Sequence, residues 1–322
     1  MTEPTIKDVA VVGTGVIGRS WIQVFARAGC RTRVYDRDPA QVEKAMAWLE
    51  ADLEYCRAAG LISADEAARR RSLITVHDDL NLALEGVGYA QESAPEPMEI
   101  KRAVYEELDR AADAAVILGS STSALDMTEI AEGLTRADRC LVAHPVNPPH
   151  VIPVVEVLPG KQTDAEVVRR ACEFLASVGQ TPVLMNFYVP GFLLNRMQAA
   201  LVREAIHLVE SGVADVNAVD AVIRDGLGLR WALMGPFGVA NTNADGGVRE
   251  YFTRYGQAYI ELMNDLGPTP RFSPELIERM GQGTDAMLGD VTHADLLRWR
   301  DRLVMKICEL KKENPPTKNK NS

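Results

Sequence analysis

His144 and Glu156 stand twelve residues apart, each at an apolar run. Cys140 to Ala143 leads into the histidine, and Val154-Val155-Glu156-Val157-Leu158 encloses the glutamate. A lone carboxylate in such a stretch is costly unless something partners it, and His144 is the nearest candidate. A carboxylate bonded to one imidazole nitrogen fixes the tautomer. It also stabilises the cation formed when the other nitrogen takes a proton, which is the logic of a general base and its orienting group. A structural histidine beside an edge-strand glutamate has the same spacing, and spacing does not choose between the two. His77, His150, His207 and His293 have no metal-ligand partner at useful spacing, so no metal is expected.

A second constellation opens the chain. Val9-Ala10-Val11-Val12 reads as a strand, Gly13-Thr14-Gly15-Val16-Ile17-Gly18 as a G-x-G-x-x-G turn, and a helix follows from near Arg19. Gly13 permits the tight turn, Gly15 lets backbone approach a pyrophosphate, and Gly18 allows close helix packing. Val16 and Ile17, within the same loop, join the glycines as expected cofactor-binding residues, and the N–H groups of the helix that follows face the anion. The next strand ends in Asp36, 18 residues after Gly18, where an acid can accept hydrogen bonds from adenosine ribose hydroxyls. A carboxylate there would repel a 2′-phosphate, so NAD is the expected cofactor, while Arg33 and Arg37 leave NADP open. No second dinucleotide signature supports a flavin.

These residues need a scaffold. Short β-branched runs (Val9 to Val12, Arg31 to Tyr35, Val87 to Ala90, Val116 to Leu118, Leu141 to Ala143, Val154 to Leu158, Thr181 to Leu184) alternate with helical patterns, as expected of β-α-β units around a parallel sheet. From Gly191 onward the patterns are almost all helical: Leu193 to Glu210, Val216 to Arg224, Val248 to Asp265, Pro274 to Met280 and His293 to Lys312. The expected fold is α/β, a Rossmann-type doubly wound sheet followed by an all-helical C-terminal domain. Pro190 and Gly191 mark the joint, giving domains over 1–189 and 190–310, with a solvated tail over 311–322.

Composition narrows the partners. The chain has 322 residues, with 35 Lys and Arg against 45 Asp and Glu for a net charge of −10. An acidic total argues against a nucleic-acid groove. No apolar run reaches the length of a membrane span, so a small-molecule partner is expected. Five scattered cysteines (Cys30, Cys56, Cys140, Cys172, Cys308) form no C-x-x-C, which suits a reducing cytoplasm. The start of the chain lacks the features of a signal peptide. Apolar residues of the helical half (Leu193, Leu194, Met197, Leu201, Ile206, Leu208) exceed what that domain needs to cover itself, pointing to a homodimer through it.

Longer motifs carry a resemblance. Ser120-Ser121-Thr122-Ser123, His144-Pro145-Val146-Asn147-Pro148-Pro149, Glu156 and Pro190-Gly191-Phe192-Leu193-Leu194-Asn195-Arg196 resemble the ordered active-site segments of the 3-hydroxyacyl-CoA dehydrogenase superfamily. Gly226-Leu227-Gly228-Leu229-Arg230-Trp231-Ala232 and Asn243-Ala244-Asp245-Gly246 look most similar to its λ-crystallin, or L-gulonate 3-dehydrogenase, branch. The resemblance implies an NAD-dependent oxidoreductase with His144 as general base and Glu156 as its orienting partner. Ser123 and Asn195 would hydrogen-bond the reacting oxygen or the histidine. It also implies that Glu96 and Lys101 contact NAD; a solvated helix start is the plainer reading of that pair. Ser121 where Asn is usual, Val146-Asn147 in place of an aromatic pair with Asn, and Arg230 all depart from the CoA-using pattern. Arg230 would hold a substrate carboxylate through two parallel hydrogen bonds, or else pair with an interdomain carboxylate. The expected substrate is a small hydroxy acid similar to L-gulonate. The alternatives are a 3-hydroxyacyl-CoA, carnitine, or a NAD-binding structural protein of the crystallin kind.

Overall fold

The computed structural model describes residues 3–314. The chain divides into two compact units, Met1–Leu193 and Leu194–Ser322. The first is built on eight strands: β1 (Asp8–Val12), β2 (Arg31–Tyr35), β3 (Ile74–Val76), β4 (Tyr89–Glu92), β5 (Ile117–Ser120), β6 (Cys140–Pro145), β7 (Val154–Pro159) and β8 (Thr181–Leu184). They form one sheet in the order β3-β2-β1-β4-β5-β6-β7-β8. Side chains alternate across it: Val9 and Val11 pack into one cluster with Trp21, Phe25 and Phe174, and Ala10 and Val12 into another with Tyr105, Leu108 and Met127. Burial on both faces explains why these strands read as continuous apolar runs.

The sheet departs from the fully parallel expectation at one place. β7 runs antiparallel to β6, with His144 directly opposite Glu156 in the register. Only eight residues separate Pro145 from Val154, fewer than a parallel crossover requires. β3 and the helices Ala64–Ser72 and Leu80–Leu84 are additions. The strand is too short to show alternation, and the helix Ala64–Ser72 buries none of its side chains, being held by its Ser63 cap on Glu66 N–H. The first helix begins at Val16 rather than near Arg19 and ends at Gly29, whose φ of 96° stops it in the left-handed conformation.

The second unit is helical: Leu194–Glu210, Val216–Ala221, Gly228–Trp231, Pro236–Thr242, Gly247–Asp265, Pro274–Leu288 and His293–Glu313, with a π-helical turn over Val222–Leu227. Pro274–Leu288 runs two turns beyond the expected Met280. Lys311, Lys312 and Glu313 belong to the last helix rather than to a tail, and the tail expected from residue 315 onward lies outside the described residues. The units meet four residues later than the expected joint, because Phe192 is buried in the first unit's core and Leu193 N–H is bonded to Glu156. No helix among the described residues is long and apolar enough to cross a membrane.

Candidate active site

The antiparallel register puts the imidazole of His144 on the carboxylate of Glu156, Nδ1 to Oε2 at 2.8 Å. Both are buried, His144 at 7% and Glu156 at 2% exposure. Glu156 Oε1 accepts from Leu193 N–H at 2.8 Å, so the carboxylate is fixed at both oxygens. With Nδ1 directed at the carboxylate, Nε2 is the ring atom left to exchange a proton. β7 lies between β6 and β8, so Glu156 is not on an edge strand; chemically, the arrangement can serve as a base with its orienting group.

At the C-terminal end of β1, Gly13 has φ of 92°, and a Cβ there would lie 2.7 Å from the Ser93 carbonyl carbon; a Cβ on Gly18 would lie 1.9 Å from Gly13 O. Both positions demand glycine, whereas a Cβ on Gly15 would meet nothing within 4 Å. The helix that follows has no side-chain cap and no acidic residue in its first turn. Open space at Gly15 over uncapped N–H groups fits the diphosphate of a dinucleotide. Val16 is exposed there, and Ile17 packs against the core. Asp36 pins the loop, its Oδ2 accepting from Thr14 N at 2.6 Å and Thr14 Oγ1 at 2.9 Å. Arg33 donates to Leu82 O and Arg37 to Glu107 Oε1. Both guanidiniums are thus engaged by protein groups.

Glu96 and Lys101 are not a solvated pair at a helix start; each is tied to neighbouring loop and strand groups. The Lys101 side chain is 1% exposed, its ammonium bound to Glu92 Oε1 at 2.8 Å and Ala94 O at 3.0 Å. It is therefore not part of a solvated helix start. Glu96 Oε1 accepts from Thr122 Oγ1 at 2.6 Å, Ser123 N at 3.0 Å and Ala124 N at 3.1 Å, so it holds the loop that carries Ser123. Ser121 is held from the other side by Gln91 Nε2 at 2.8 Å and by Ser93 Oγ at 2.9 Å. Glu92 was legible by the rule that singled out Glu156: a carboxylate closing the buried strand Tyr89–Glu92 needs a partner. Phe192, whose ring meets His144 edge-on with centroids 5.4 Å apart, has no sequence signal beyond its place in the Pro190-Gly191 motif.

In the second unit, Asn195 lies in the first turn of Leu194–Glu210. Arg230 is exposed at the end of the short helix Gly228–Trp231. Tyr259 bonds Tyr251 hydroxyl to hydroxyl at 3.0 Å, and the two line a pocket of about 200 Å³ with Tyr255, Ala258 and Leu262.

Known proteins share this plan. The NAD-binding domain of 3-hydroxyacyl-CoA dehydrogenase matches residues 8–187, and the C-terminal domain of 3-hydroxyacyl-CoA dehydrogenase matches residues 191–281. The λ-crystallin homolog of Bos taurus is 40% identical over 310 residues, covering 95% of this chain and 96% of the relative. The L-carnitine dehydrogenase of Oceanobacillus iheyensis is 37% identical over 308 residues, covering 95% and 98%. Among solved structures, a 5-formyl-3-hydroxy-2-methylpyridine 4-carboxylic acid 5-dehydrogenase, an NAD+-dependent dismutase, superposes with a TM-score of 0.76 at 28% identity, covering 96% of this chain and 98% of that one. With a dinucleotide loop at one end of β1 and a histidine–glutamate pair on β6 and β7, the chain belongs to the 3-hydroxyacyl-CoA dehydrogenase family, as an NAD-dependent oxidoreductase acting on a CH–OH group.

Proposed function

We propose that the chain oxidises the 3-hydroxyl carbon of a small hydroxy acid of the L-gulonate kind, with His144 as the general base. The bond between His144 Nδ1 and Glu156 Oε2 carries this reading: Nε2 takes the hydroxyl proton, and the carboxylate stabilises the imidazolium that results. Gly13 to Gly18 and Asp36 would hold NAD, which when bound would supply the hydride acceptor. Ser123, on the loop held by Glu96, and Asn195 hydrogen-bond the oxygen that becomes a carbonyl. Arg230 anchors the substrate carboxylate with its planar fork of donors. Support for an acid rather than a thioester comes from that exposed arginine, from Ser121, and from the λ-crystallin and L-carnitine dehydrogenase relatives. One observation favours L-carnitine as a second reading: Tyr251, Tyr255 and Tyr259 cluster beside one another, and aromatic faces attract quaternary ammonium groups. No disulfide links the cysteines among the described residues, in keeping with the proposed cytoplasmic setting, and the active form is a homodimer through the helical unit.

The test follows NADH formation with L-gulonate, L-carnitine and 3-hydroxybutyryl-CoA, for the wild type, His144→Ala and Arg230→Met. His144→Ala should lower kcat by about 100- to 10,000-fold without unfolding the protein. Arg230→Met should raise KM for gulonate by about 10- to 100-fold, the value of charged hydrogen bonds, and leave the CoA ester unaffected. Preference for the CoA ester, or equal losses on both substrates, overturns the acid reading.

A further inference from the structure

We infer that Phe192 is a positioning residue for the proton-accepting pair, an inference that rests on reading His144 as the base. Phe192 has φ of 49°, the one positive value outside glycine among the described residues. Side chains avoid this region because Cβ crowds the following carbonyl. Gly191 before it has φ of 78° and adopts it freely, but at position 192 a glycine or asparagine is what the backbone alone would select. A strained residue persists where its surroundings over-determine it, and such residues gather at functional sites.

Three contacts show what the strain secures. The turn brings the next N–H, that of Leu193, onto Glu156 Oε1 at 2.8 Å, while Oε2 faces His144 Nδ1 at 2.8 Å. The carboxylate therefore cannot rotate away from the imidazole without losing its backbone donor. The Phe192 ring, 0% exposed, meets the His144 ring edge-on at 5.4 Å and 68°, which limits tilting of the imidazole and excludes water from that side. The same ring meets Tyr188 at 6.2 Å and 84°, and Tyr188 Oη donates to Ala124 O at 2.9 Å, next to Ser123. Phe192 thus touches the base through its ring, the orienting carboxylate through the following amide, and the Ser123 loop through Tyr188. A glycine would supply the turn and neither ring contact.

The experiment compares Phe192→Gly, Phe192→Ala and Phe192→Leu with the wild type and His144→Ala. It measures kcat, KM for NAD, thermal unfolding, and the downfield proton resonance of the His144 Nδ1–H bonded to Glu156 in the protein without substrate. The Gly variant should unfold at a higher temperature than the Ala variant, since only glycine accepts the positive φ without strain. Both should lose about 10- to 100-fold in kcat, the scale of a misplaced reacting group, with KM for NAD unchanged and the downfield resonance broadened by water. Phe192→Leu, which restores apolar cover, should recover part of kcat and of the resonance, and it carries the test alone if the smaller variants do not fold. Wild-type kcat and an unaltered resonance in the Gly variant, or in the Leu variant where that stands alone, overturn the inference when His144→Ala is inactive. An active His144→Ala overturns the reading of the base instead, and the resonance still decides whether Phe192 holds the pair.

Discussion

The sheet unit buries large side chains completely, among them Trp21, Phe25, Tyr89, Tyr105 and Phe174, in two clusters on the faces of one sheet. In the helical unit, the buried apolar side chains among the described residues are Ile206, Val209, Val239, Ala240 and Leu276, while Phe237, Ile260, Leu262, Met263 and Trp299 are exposed. The sheet unit has a large internal core although Phe187 and Leu184 are exposed; the helical unit buries few apolar side chains and leaves more of them to water, and exposed patches of this kind mark sites of association. The contrast separates a frame that buries its large side chains from a helical body with exposed apolar faces, where the proposed homodimer would form. It also corrects one expectation about that partner surface, because Ile206, counted there from the sequence, is buried.

The largest effect on stability should come from the frame. Lys101→Met leaves Glu92, at 1% side-chain exposure, with an uncompensated buried charge, and should destabilise the protein by about 3–5 kcal/mol. Adding Glu92→Gln should restore much of that loss, because replacing both members of a buried pair is far milder than removing one. Denaturant unfolding of the single and double variants checks it, and additive losses would break the assignment of the pair. In the helical unit the same experiment should give little: Met263→Asp, at an exposed position, should change the stability of the isolated subunit by less than about 0.5 kcal/mol. It should instead shift the mass seen by light scattering from a dimer towards one 35.3 kDa subunit. A wild type that is already one subunit would remove the proposed dimer and leave the exposed faces unexplained.

The smallest effect lies on the frame's surface and depends on pH. Arg69 and Arg70 bond Glu66 at 2.7 Å, and the Arg69 hydrogen bond above all holds its carboxyl down to about 2 against an ordinary 4.5. A lowered pKa stabilises the fold above the unfolded value and ceases to do so as the pH falls through the folded one. Glu66→Gln should therefore destabilise by about 0.5 kcal/mol at neutral pH. That difference should shrink below pH 4.5 and vanish near pH 2. Urea melts at several pH values read it, and a difference that grows in acid would contradict the ion pairs.

Much of the frame was legible because its signals are local. The strand–glycine loop–helix run from Val9, the β-branched periodicity of seven of the eight strands and the helical patterns after Gly191 each depend on neighbours a few residues apart. The antiparallel return of β7 was also within reach, since eight residues cannot make a crossover. The polar helix Ala64–Ser72 buries no side chain and so left no apolar period to read.

By itself the sequence determined the residue types available for chemistry: glycines where a Cβ would strike backbone, an acid at the end of β2, a histidine and a glutamate in apolar runs. Only the tertiary structure decided which donor meets which acceptor. Lys101 turned inward to Glu92, Glu96 closed on the Ser123 loop, and Glu156 divided its oxygens between His144 and the amide that Phe192 aims at it. The physical reason is that periodicity and composition report local preference. Hydrogen-bond partners depend on register between strands and on single backbone dihedrals, which are set by the packing of residues distant in the chain.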